Sequence, residues 1–107
     1  MSYDISLYIN TGIEERKVVE VGNYTYNCCG MFTDASAGTA ISDLDGEECW
    51  KIEPMLASAV ENLQKNPNKY RAMNPENGWG DYDSFLLYVE KLLRECRQNP
   101  KCKIVVC

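Results

Sequence analysis

A chain of 107 residues, 45% hydrophobic and 25% charged, has an ordinary globular composition and the usual length of one domain, which argues against a disordered chain or two independent cores. No apolar run approaches the roughly 18 residues of a membrane helix, and Met1-Ser2-Tyr3-Asp4 has neither a basic n-region nor an apolar h-region. A single cytoplasmic domain over 1–107, with no membrane partner, is the expectation.

The net charge of −5 is unevenly spread, with 14 acids and 6 bases in residues 1–83 and 2 acids and 5 bases in residues 84–107. The densest acidic run is Asp43, Asp45, Glu47, Glu48 and Glu53, opposed only by Lys51. It could face a basic partner or simply be a solvated surface. No basic stripe with interleaved aromatics occurs, so direct nucleic-acid binding is not expected.

Residues 3–10 alternate, with Tyr3, Ile5, Leu7 and Ile9 on one face and Asp4, Ser6, Tyr8 and Asn10 on the other, the pattern of a half-buried strand. Asn10-Thr11-Gly12 signals a turn, and Val18, Val19 and Val21 predict a returning strand over 16–22. Residues 23–27 either extend that strand or form an ordered loop. A short helix is predicted over Met31–Ala35, with Asn27 near its cap. Asp43-Leu44-Asp45-Gly46 reads as a turn. With its glycine at position six of a calcium loop, positions one and twelve would be Ile41 and Ile52, where oxygen ligands are required, so it is not an EF-hand.

Cys49, Ile52, Leu56, Ala59, Val60 and Leu63 repeat at helical spacing within 47–66. Pro54 lacks an amide hydrogen and its ring meets the carbonyl of Trp50, which predicts a kink or a helix restarting at Pro54. A polar stretch follows from Pro67 to Gly80. The last helix, over 82–98, carries an unbroken apolar stripe of Tyr82, Phe85, Leu86, Val89, Leu92, Leu93 and Cys96. Asp81 is its N-cap and Asn99-Pro100 its stop. Residues 102–106 are β-branched and form a closing strand. The expected fold is α+β, a small three-stranded antiparallel sheet with helices packed on one face, in the order ββ(α)ααβ.

Six cysteines occur with no histidine and no Cys-x-x-Cys pair, so no metal site, cofactor or disulfide framework is expected. Cys49 and Cys96 fall on apolar helix faces as buried thiols. Cys28, Cys29 and Cys107 are expected to be exposed and oxidisable. Without histidine, Ser and Cys lack their usual base, and no phosphate-cradling glycine loop is present. The chain is therefore expected not to be an enzyme.

Two loops rich in asparagine and aromatics, 23–27 and 74–82, are the candidate ligand or partner surface, with Tyr24, Asn27, Asn77 and Trp79 as its residues. The acids Asp43, Asp45, Glu47 and Glu48 are added as a charged surface. Amide groups beside flat aromatic area suit a planar polar ligand or a protein partner. The competing reading makes Trp79 a plug in the end of the core. If the closing strand pairs antiparallel with the first, both loops lie at one end of the domain.

The runs Asn23-Tyr24-Thr25-Tyr26-Asn27, Met31-Phe32, Asp43-Leu44-Asp45-Gly46, Asn74-Pro75-Glu76-Asn77-Gly78-Trp79-Gly80-Asp81-Tyr82, and Cys96-Arg97 before Asn99-Pro100 resemble a family of short uncharacterised phage and prophage proteins. The Asn-Gly-Trp-Gly segment is the most specific part. Where that family has proline before its methionine, this chain has Gly30. The resemblance implies no catalytic residues. It implies a small phage accessory or counter-defence factor, either an inhibitor occluding a host protein of a defence complex such as a CRISPR effector nuclease, or a sponge for a nucleotide second messenger. A regulatory module of unrelated role is the third reading.

Overall fold

The computed structural model describes residues 2–107, including every side chain except those of Ser2 and Tyr26. Alternating residues build β1 (Ser2–Asn10), and β2 (Glu15–Thr25) returns antiparallel to it. The turn is closed by the Asn10 side chain, which accepts from the Gly12 amide at 2.8 Å. β2 is longer than the predicted 16–22 because pairing continues through Asp4↔Asn23 and Tyr3↔Tyr24. The strand absorbs its extra length in two bulges. Ser6 faces Glu20 while Ile5 faces Gly22, leaving Val21 over, and Tyr8 faces Lys17 while Leu7 faces Val19, leaving Val18 over.

β3 (Lys103–Val106) pairs antiparallel with the other side of β1, so the strand order is β2-β1-β3. Its outer edge is covered. The Ile104 amide donates to the Glu47 carbonyl, and the Gly46 and Cys49 amides donate to Ile104 and Cys102, each at 2.8 Å. This protects an edge that would otherwise offer unpaired backbone groups.

The helices pack on the face of the sheet that carries Ile5 and Leu7, both fully buried. A 3-10 turn at Tyr26–Cys28 leads into α1 (Cys29–Ala35), which places Cys28, not Asn27, at the cap position, and no side chain caps the helix. A second 3-10 turn (Ile41–Leu44) stands where a simple turn was expected, because Leu44 is buried and draws the backbone inward. α2 (Cys49–Lys65) runs through Pro54 without restarting. Pro54 is exposed, while buried Cys49 and Leu56 anchor the helix on either side, so packing outweighs one missing hydrogen bond.

α3 (Pro67–Arg71) lies within the stretch read as polar loop. Proline at its first position costs no hydrogen bond. Tyr70 is buried, stacked at 6.3 Å on Tyr82, and donates to Asp34 at 2.8 Å. A single turn carries no periodicity, so only this tertiary contact identifies it.

α4 (Tyr82–Gln98) buries Tyr82, Phe85, Val89, Leu92, Leu93 and Cys96, while Leu86 stays half-buried. These residues join Phe32, Leu56 and Ile104 in one core. Cys49, Cys96 and Cys102 are buried, and so, contrary to expectation, is Cys28 at 1% exposure. Cys29 is half-buried and Cys107 exposed. No helix is long and apolar enough to cross a membrane among the described residues.

Candidate functional site: the paired loops at the start of the last helix

Antiparallel pairing of β3 with β1 places the end of β2 beside the start of α4, and the two loops meet there. Tyr24 makes the junction. Its ring lies 5.4 Å from Phe85 and 5.3 Å from Tyr88. Its hydroxyl stands 2.5 Å from Ser84 Oγ, donates to the Asp81 carbonyl at 3.1 Å and accepts from the Asp81 amide at 3.2 Å. Burial pushes the Tyr24 phenol above its ordinary pKa, against the lowering effect of the Ser84 contact.

Asp81 caps α4 as its position in sequence suggests, accepting from the Ser84 amide at 2.8 Å. That amide holds the Asp81 carboxyl below the usual aspartate range. Gly80 is where the loops touch most closely. It has a φ of +89°, and a β-carbon there would stand 2.6 Å from Thr25 Cγ2 and 3.1 Å from Cys28 Sγ. Only glycine combines that backbone angle with that clearance. Cys28 lies beneath the junction, its thiol pushed up by burial.

Above this junction the 72–81 loop is internally braced. Asn74 Oδ1 accepts from the Tyr82 amide at 2.8 Å, and Asn77 Oδ1 accepts from the Trp79 amide at 2.9 Å. Trp79 itself is 67% exposed, which settles against the core plug. Asn27 and Asn77 are exposed as well. Met73, missed in the sequence reading, is exposed and reaches to within 3.7 Å of where a β-carbon on Gly30 would lie. Met73 and Gly80, which is next to Trp79, thus both approach the 25–30 segment.

The acidic residues do not join this surface. Asp43 accepts from the Ala40 amide at 3.0 Å and opens the 3-10 turn, while Asp45 accepts from the Val106 amide at 2.9 Å. The Glu47 carbonyl bonds β3, and Glu48 holds the Trp50 indole at 2.7 Å. They line the β3 edge, whereas Tyr24 sits on β2, so the width of the sheet separates the two groups. Their density in the sequence grouped these acids. In the structure the Asp43 and Asp45 carboxylates support backbone amides, and Glu48 pairs with the Trp50 indole.

The polar groups of the junction are engaged with one another. Ser84 faces a phenol whose pKa is raised, and the Asp81 carboxylate is committed to the helix cap. Among the described residues no group of three or more His, Cys, Asp or Glu side chains could hold a metal ion. An open groove of about 550 Å³ lies elsewhere, between α2 and α4, lined by Val60, Glu61, Gln64, Glu90, Leu93 and Arg94 among others. Gln64 donates to Glu90 there at 2.8 Å.

In comparisons with known proteins, the chain matches no family model, no curated sequence and no solved structure.

Proposed function

We propose that this chain is a non-catalytic binding protein that docks a protein partner on the surface formed by the 23–30 and 72–81 segments, with Trp79 as the anchor. One observation carries the reading: a tryptophan 67% exposed on a loop braced by Asn77, Gly80 and Tyr24. Tryptophan is the residue type most often found at the energetic centre of protein interfaces, and a braced loop loses little entropy on binding. The resemblance to short phage proteins supports a host defence protein as this partner, with occlusion of a CRISPR effector nuclease as the mechanism.

The test is plaquing of a CRISPR-targeted phage on cells expressing the chain. The wild type should raise plaquing efficiency, and Trp79→Ala should abolish that gain while leaving the melting temperature unchanged. Equal plaquing with and without the wild-type chain would overturn the target. A second reading, favoured by the Asn27 and Asn77 amides exposed on the same surface, is a sponge for a nucleotide second messenger. A nucleotide co-purifying with the chain in native mass spectrometry, and lost in Trp79→Ala, would establish that reading over the first.

A further inference from the structure

The two edges of the sheet are treated differently. The β3 edge is covered by residues 46–49, but among the described residues no backbone segment pairs with the outer edge of β2 over residues 15–22. An uncovered edge of that length is a template for another strand. Val18, the residue left over in one bulge, is 46% exposed on it.

The charges on this edge are arranged for one particular neighbour. Lys17 pairs across from Tyr8 and Glu20 across from Ser6. Tyr8 and Ser6 are two apart on β1 and share a face, so Lys17 and Glu20 share the outer face despite being three apart in sequence. The bulge at Val18 produces this. Both side chains are exposed, and neither has an ion-pair partner among the described residues. Lys17 Nζ lies over the Tyr8 ring, 6.0 Å from its centroid.

We infer that β2 pairs antiparallel with the β2 of a second copy of this chain, joining the two sheets across a two-fold axis. With the axis at the Val18–Val19 step, Lys17 of each copy lies opposite Glu20 of the other, and the valines meet between them. Moving the axis one pair toward the hairpin turn sets Lys17 against itself, and one pair toward Thr25 sets Glu20 against itself. Charges on an edge strand ordinarily repel a neighbour. Here the sign reverses along the strand, so an antiparallel copy in this register is attracted, with two opposite-charge pairs across the join.

Sedimentation equilibrium on the full chain tests this through a charge swap. The wild type should associate to a dimer with rising concentration. Lys17→Glu and Glu20→Lys should each weaken the dimer about tenfold or more, since each places like charges opposite one another twice. Because both positions are exposed, both variants should melt as the wild type does at concentrations where it is monomeric. Mixed in equal amounts, with one carrying an affinity tag, the two variants should recover association as a heterodimer, because all-acidic then faces all-basic. A wild type that stays monomeric, a dimer indifferent to both substitutions, or a mixture that fails to recover would each overturn the inference.

Discussion

At its N-terminal end α4 meets β2 through polar contacts open to solvent. Asp81 and Ser84 are exposed, the Tyr24 hydroxyl links them to the sheet, and the exposed Trp79 stands beside them. At its C-terminal end the same helix meets α2 and the start of β3 through thiols. Cys96 and Cys49 are fully buried, Cys102 is 3% exposed, and the Cys49 amide donates to the Cys102 carbonyl at 2.8 Å. The Cys49 thiol beside it, together with burial, pushes Cys96 well above the ordinary thiol range. Burial likewise raises Cys102. The sealed end contributes stability through its buried side chains. The open end holds its geometry by hydrogen bonds and one glycine, which leaves the apolar area of Trp79 exposed.

Substitutions at the two ends should therefore differ in kind. The largest effect is expected in the sealed region. Leu92→Ala removes a side chain that is 2% exposed and should cost about 2–5 kcal/mol in denaturant melts, whereas the half-buried Leu86→Ala should cost clearly less. Equal losses at the two positions would contradict the packing of α4 described above.

At the open end, Gly80→Ala forces a side chain into a φ of +89° and against Thr25. It should cost about 1–3 kcal/mol. A stability equal to the wild type would mean that the loops are not held together at this contact.

The smallest effect appears only in acid. The Asp81 carboxyl lies below its ordinary value in the folded chain because it accepts from the Ser84 amide. Folding therefore favours the ionised form. That contribution is complete above the unfolded aspartate pKa of about 3.9 and is lost as pH falls through the lower folded value. Asp81→Asn keeps a capping side chain but cannot titrate. It should leave the melting temperature at pH 7 essentially unchanged and make the loss of stability below pH 4 shallower. An acid limb as steep as that of the wild type would remove this carboxylate from the account.

Residue order by itself determined the elements whose periodicity is long. The 3–10 alternation, the 82–98 stripe with its Asp81 cap and the β-branched 102–106 run each repeat often enough to specify an element and its buried face. With the Asn99-Pro100 turn they placed the two loops at one end only on the condition that the closing strand pairs antiparallel with the first, which the sheet supplies. Tertiary structure decided whatever depends on a partner distant in sequence. The bulges at Val18 and Val21 arise from pairing with β1, α3 exists because Tyr70 reaches Asp34 and Tyr82, and α2 runs through Pro54 because the core holds both sides of it. The acids at 43–48 were separated from the loops, and Cys28 buried, by the same route. A local pattern specifies which face an element turns inward. It carries no information on which distant backbone will satisfy an amide or cover a side chain, and the placement of Tyr24 over Gly80 and Asp81 is settled by such contacts.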